Sequence, residues 1–228
     1  MSFLNQLKSQ ANALQSQQSA ELQNFEASTA QTERAGQIVW HYLVDLARQL
    51  NVIAPPGPTL TLDNKTPWPE MKLIEFRVDA RKKQLRDKEV YDYLAMGWRM
   101  VPREGEPVEG SVSANFPPDL QRIEARLFSG NVQHERVNVR HPEKNTLQAI
   151  RFDYLTEARA SITITADHAA GHLAFRLTNL QNLETVTVAY PVAQIQGVLL
   201  DELARLIVGQ SSRFAWGPGE RAISSPAL

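Results

Sequence analysis

Residues 162–177 read ITITADHAAGHLAFRL, and the parity of this stretch decides what kind of domain the chain can build. Ile162, Ile164 and Ala166 alternate with Thr163, Thr165 and Asp167 before a turn; Leu173, Phe175 and Leu177 alternate after it. Successive side chains of a strand point to opposite faces, so keeping the apolar residues together selects one hairpin register. Ile164 then stands opposite Phe175, and Ala166 opposite Leu173. The following run, TVTVAY at 185–190, widens the same apolar face when Phe175 pairs with Val188 and Leu177 with Val186.

The register also speaks to the two histidines in the stretch. It sets Asp167 across from His172 and leaves 168–171 as the loop, with Gly171 supplying a left-handed residue. His168 falls at the tip and His172 on the strand. The helical i, i+4 geometry that lets two imidazoles share a metal is then unavailable, and no third ligand is suggested nearby. The reading is a surface turn with an exposed Asp–His pair, and no metal or cofactor is expected.

Working outward, KLIEFRVDA at 72–80 alternates Ile74, Phe76, Val78 and Ala80, and YLAMGWRM at 93–100 alternates Leu94, Met96, Trp98 and Met100. One face collects both sets if Ile74 pairs with Trp98, Phe76 with Met96 and Val78 with Leu94, leaving Leu85-Arg86-Asp87 as the loop. SVSANF (111–116) and TLQAIRFDYL (146–155) read as further strands. DLQRIEARLFSGNVQHERVNV, 119–139, fits both periods. Leu120, Ile123 and Leu127 suit a helix, whereas Ile123, Ala125 and Leu127 suit a strand turned through Ser129-Gly130-Asn131 onto Val137 and Val139. The clean alternation of the second arm favours the hairpin, which would set His134 opposite Arg126 and Arg136 opposite Glu124.

Helical periodicity frames this β-rich middle. In AQIQGVLLDELARLIVG, residues 193–209, Ile195, Val198, Leu199, Leu203, Leu206 and Ile207 form an apolar face, Asp201 precedes Arg205 by four, and Gly209 suits a left-handed cap. Near the other end, Ile38, Val39, Tyr42, Leu43, Leu46 and Leu50 share a face, with Ser28 or Thr29 as cap, and the helix must stop at APPGP, 54–58. Before it lies a Gln-, Ala- and Ser-rich segment in which Leu4, Leu7, Ala11 and Leu14 follow heptad-like spacing. This arm packs on its own domain in the simplest expectation; otherwise it docks a partner protein or self-associates.

The fold class expected is α+β: two N-terminal helices, a mostly antiparallel meandering sheet of about 6–8 strands, and a C-terminal helix packed on its apolar face. Residues 1–53 form the helical arm and helix, 59–212 the sheet with the C-terminal helix, and 213–228 a loose tail.

Composition narrows function mostly by exclusion. The 228 residues carry no cysteine, which removes disulfides, thiolate metal sites and Cys nucleophiles. With 24 basic and 25 acidic residues, no global field draws the chain to nucleic acid, which is disfavoured as a partner. No apolar run is long enough to span a membrane, and no basic-then-apolar leader opens the chain, so a cytoplasmic location is expected. Nucleophile-elbow, dinucleotide, P-loop and metalloprotease signatures are absent, and no catalytic residue stands out. The one local charge signal is RVDARKKQLRDK at 77–88, where Arg77, Arg81, Lys82, Lys83, Arg86 and Lys88 outnumber two acids. In the register above Arg81 faces Tyr91, Asp79 faces Tyr93 and Lys83 faces Glu89, and such a ribbon could meet an anion.

The reading is therefore a non-catalytic cytoplasmic binding or interaction module. It would use Leu4, Leu7 and Leu14 of the arm, or an apolar cavity between sheet and C-terminal helix that takes an apolar small molecule. The alternatives are anion or nucleic-acid binding through the basic hairpin 77–88, or an enzyme whose site is not recognisable in the sequence.

Overall fold

The computed structural model describes residues 3–214. The chain opens on one helix, α1 (Phe3–Ile53), where two were expected. Its first half is built mostly from Gln, Ala, Leu, Lys and Glu, all good helix formers, and proline appears only after Ala54. Ser28 and Thr29 do not cap anything; they lie mid-helix. Thr32 bonds back to the Ser28 carbonyl at 2.9 Å, the i−4 bond by which a hydroxyl is accommodated inside a helix. Ala54, with φ of 45°, ends α1 ahead of the prolines.

The fold is α+β with eight strands, all paired antiparallel, and they form two sheets where a single meander was expected. These are β1 (Met71–Leu85), β2 (Lys88–Pro102), β3 (Glu109–Ala114), β4 (His134–Arg140), β5 (Leu147–Leu155), β6 (Ala158–Asp167), β7 (His172–Thr178) and β8 (Thr185–Pro191). A five-stranded sheet runs β1-β2-β6-β7-β8, and a three-stranded sheet runs β3-β5-β4. After β2 the chain leaves the large sheet, builds the small one and returns as β6. One apolar cluster draws on both sheets and all three helices, from Val39 and Leu43 through Phe152 and Phe175 to Leu203.

The parity argument holds through β6, β7 and β8. Ile164 pairs with Phe175, Ala166 with Leu173, Asp167 with His172, Phe175 with Val188 and Leu177 with Val186. It fails by one residue in β1. A bulge between Ile74 and Arg77 puts Glu75 at φ 57° and brings Leu73, not Ile74, onto the buried face with Phe76. Val78 consequently pairs with Met96 and Ala80 with Leu94, while Ile74 meets Arg99. The bulge is held from outside the sheet. The Asn51 side chain, at the end of α1, accepts the Phe76 N–H at 2.7 Å and donates to the Phe76 carbonyl at 2.8 Å.

Residues 117–129 form a helix, α2 (Pro117–Ser129), where a strand was favoured. Pro117 and Pro118 sit in its first turn, where a missing N–H costs nothing. Ile123, Arg126 and Leu127 are its buried side chains, three or four apart along one stripe. His134 therefore pairs with Tyr154 instead of Arg126, although Arg136 does lie 3.5 Å from Glu124, as a strand-to-helix contact.

Arg126 ties α2 to the loop before β1. Its guanidinium donates to the carbonyls of Thr61 and Leu62, to Asn64 Oδ1 at 2.6 Å and to Glu184 at 3.0 Å. In the same loop partial burial alone would raise the Asp63 pKa. The backbone N–H groups of Thr66 and Lys65 and the hydroxyls of Thr61 and Thr66 outweigh it and hold the carboxyl below its ordinary value. A carboxyl lowered in the folded state adds stability that is complete above its unfolded pKa of about 3.9 and fades as pH falls through the folded value. Asp63→Asn is expected to flatten the loss of urea midpoint between pH 5 and pH 3, relative to the parent.

α3 (Gly197–Ile207) buries Leu200, Leu203, Leu206 and Ile207. Its buried stripe includes Leu200 and omits Val198, which is exposed. Arg205 pairs with Glu202 at 2.9 Å, leaving Asp201 to accept from the Tyr42 hydroxyl of α1 at 2.8 Å. Gly209 takes φ 71° after the helix, as a left-handed cap requires. Residues 210–214 then fold back. The Glu202 carbonyl accepts from Ser212 Oγ, its carboxylate accepts the Arg213 N–H, and Phe214 is fully buried, 5.2 Å edge-on to Phe175 and hydrogen-bonded to Tyr190 through its carbonyl. The segment expected as a tail thus begins with two anchored residues; 215–228 lie outside the described residues.

Candidate functional site

Apolar positions of α1 keep to one line along its whole length. At about 100° per residue, Leu4, Leu7, Ala11, Leu14, Leu22, Phe25, Thr29, Thr32, Gly36, Val39, Leu43, Ala47 and Leu50 all fall within an arc of roughly 100°. From Thr29 onward this arc supplies all of the helix's buried residues except Ala35, which lies just beside it. From Phe3 to Asn24 every residue is exposed, with Leu4 at 57%, Leu7 at 45%, Leu14 at 61% and Leu22 at 45%. The helix face that packs on the domain therefore continues past the domain's edge for 22 residues, about 33 Å at helical rise. The expected packing of the arm on its own domain is not what the structure shows.

The base of the arm is fixed by a polar joint. Glu33 Oε1 accepts the Tyr91 N–H of β2 at 2.7 Å, and His168 Nε2 donates to the Tyr91 carbonyl at 3.0 Å. Ser28 Oγ donates to the His168 carbonyl at 2.8 Å, so α1 grips both β2 and the β6–β7 turn. His168, expected at an exposed tip, is only 4% exposed because α1 lies over it. Gly36 permits the close approach: a Cβ there would stand 2.8 Å from the Tyr91 ring. Glu33→Ala leaves the Tyr91 N–H unpaired and is expected to cost about 1–3 kcal/mol in urea unfolding, whereas Glu33→Gln, which retains an acceptor oxygen, costs less.

His172 stays on the polar side, its Nδ1 2.7 Å from the Ala170 carbonyl, while Asp167 accepts the N–H groups of Ala169 and Ala170. The Asp167–His172 element is a turn that also bonds α1 through the His168 carbonyl and β2 through the His168 ring. Among the described residues no group of three His, Cys, Asp or Glu side chains could hold a metal ion. Among them also, no helix is long and apolar enough to cross a membrane.

The basic hairpin is brought together but is internally matched. Two residues, Arg86 and Asp87, form the loop, and the bulge and a second irregularity after Arg81 shift the far end, so that Arg81 faces Tyr93, Lys82 faces Tyr91 and Lys83 faces Val90. Lys83 reaches Asp92 at 2.9 Å, Arg81 approaches the same carboxylate at 3.9 Å, and Lys82 meets Glu89 at 3.2 Å. The hydrogen bond from Lys83 is the main reason the Asp92 carboxyl sits below its ordinary pKa. Arg77 lies 3.6 Å from Glu75, and Arg86 stacks at 4.3 Å over the Phe25 ring. Lys88 borders a groove with Glu33 and Glu89. Six basic and five acidic side chains lie between residues 75 and 92, so the +4 of 77–88 falls to +1 once the strands are paired.

One further polar centre was not evident in the sequence. Arg99 Nη1 and Nε bridge Glu75 at 2.6 Å and Glu157 at 2.8 Å, and the bond to Glu157 is the leading cause that raises its guanidinium pKa above an already high value. This cluster borders an open groove beside Trp98 and Arg159. Phe214 occupies part of the sheet's apolar face, where a ligand cavity was expected. Set against protein-family models, curated proteins and solved structures, the chain matches none.

Proposed function

We propose that this protein is a non-catalytic interaction module that presents the arm of α1, residues 3–24, to a partner helix. The supporting observation is the line of exposed leucines running collinear with the buried face of the same helix. Helical stability in proteins comes mostly from packing an amphipathic face, which the arm leaves uncovered, and its apolar stripe is the kind of surface that docks another helix in the i, i+3, i+4, i+7 manner. The polar joint at Glu33, Tyr91 and His168 supports the reading, because it holds the arm at a set angle to the domain.

The test is a photo-reactive phenylalanine analogue at Leu14, compared with the same residue at Ser16 on the opposite side of α1. An adduct from position 14, absent from position 16 and mapped to the apolar face of a helix, is the expected result. Absence of any adduct, or equal labelling from both positions, overturns the reading.

A further inference from the structure

Granting that the arm docks a helix, we infer that the occupant is the arm of a second copy of this chain, laid antiparallel. The first argument is self-complementarity. Turning residues 3–26 end for end about the midpoint between Leu14 and Gln15 places Leu4 at the height of the partner's Phe25 and Leu7 at the height of the partner's Leu22. Ala11 meets the partner's Gln18, and the two Leu14 side chains stand together at the twofold axis. Every exposed leucine of the arm thereby faces an apolar side chain; of the polar residues within the arc, Gln18 faces the small Ala11 and Glu21 sits at the edge. Sliding the pair one heptad outward sets Leu14 against Lys8, and sliding it one heptad inward drives the partner's tip to the level of Glu33, where the domain already covers the face. Lys8 and Glu21, the only charged side chains between residues 3 and 25, come to the same height with opposite sign. A parallel pair in register would stack like on like.

The second argument is room. From Ser28 onward the apolar face of α1 is occupied by its own domain: Ser28 bonds the His168 carbonyl, Thr29 and Thr32 are buried, and Gly36 lies against Tyr91. A parallel partner would drive both domains into the space between the two helices. An antiparallel partner ends where the domain begins, since its Phe3 reaches the level just past Phe25, where Arg86 of the hairpin closes the groove. The exposed stretch has the length that one further arm fills, and each domain lies beyond the tip of the other's helix.

Light scattering on the full chain is expected to give twice the chain mass. Leu14→Glu, which puts two carboxylates together at the axis, should raise the dissociation constant roughly a hundredfold or more while the thermal midpoint of the domain stays put. Orientation is read with a short bis-maleimide, which the cysteine-free parent makes unambiguous. A Leu7→Cys chain mixed with a Leu22→Cys chain should cross-link to each other, and neither should cross-link to itself. A monomer at all concentrations, a dimer that survives Leu14→Glu, or self-cross-linking of Leu7→Cys overturns the inference. A monomer that nonetheless gives the helix-mapped adduct from position 14 sinks this inference alone; a monomer with no adduct sinks the function proposed above as well.

Discussion

Phe175→Ala is expected to lower stability by about 3–5 kcal/mol, read as a shift in urea midpoint. Phe175 is fully buried on β7, between its paired neighbours β6 and β8, and it receives Phe214 at 5.2 Å and Tyr190 at 6.0 Å, both edge-on. Removing the ring takes away the surface on which residues 210–214 close, so the amides there should lose hydrogen-exchange protection along with the global loss. Phe175→Leu, nearer in volume, should cost about half as much or less. A loss below about 1 kcal/mol for the alanine variant would contradict the packing described, since a collapsed or wet site is what would absorb the change.

Arg126→Met should cost about 3 kcal/mol, because it removes the donors for two backbone carbonyls and an amide oxygen that have no other named partner. The apolar part of methionine retains much of the packing, so the loss isolates the polar contacts. Two controls fix the cause. Glu184 is 59% exposed, so Glu184→Gln should change stability by about 0–1 kcal/mol. Arg126→Lys should behave like the methionine variant, since one ammonium cannot span Thr61, Leu62 and Asn64 as the planar fork does. Equal loss in Glu184→Gln and Arg126→Met would make the ion pair, not the carbonyl contacts, the stabilising element.

The hairpins β6–β7 and β7–β8 could be read from the sequence because both their faces obey one rule. Apolar residues at every second position leave a single register that does not split them. In β1 the same rule misplaces Ile74, since the bulge depends on an asparagine more than twenty residues earlier, and alternation carries no trace of it. The segment 117–129 satisfied two periods at once. Pro117-Pro118 was the discriminating sign, since prolines open a helix readily and end a strand only by blocking it.

The candidate site divides in the same way. The leucine spacing of the arm was visible, and so was the basic run. That the leucines are uncovered was not visible, and neither was the pairing of the basic run with Glu75, Glu89 and Asp92, which alternation assigned to different partners. His168 lay in the quoted stretch, yet its burial is decided by α1, more than a hundred residues away in the chain.

Local periodicity and punctuation determined, from the sequence by itself, that this chain is α+β, where the strands from β6 to β8 turn, and which face of each of them is apolar. These features are set by backbone geometry and near neighbours, so they survive without knowledge of the rest. Only the tertiary structure decided that Phe3–Ile53 is one unbroken helix, that eight strands divide between two sheets, and that a leucine stripe runs from the core into solvent. Burial is a property of what lies across from a residue. For α1, what lies across is the five-stranded sheet as far as Ser28, Arg86 of the hairpin at Phe25 and, from Asn24 to Phe3, nothing from the described residues of its own chain.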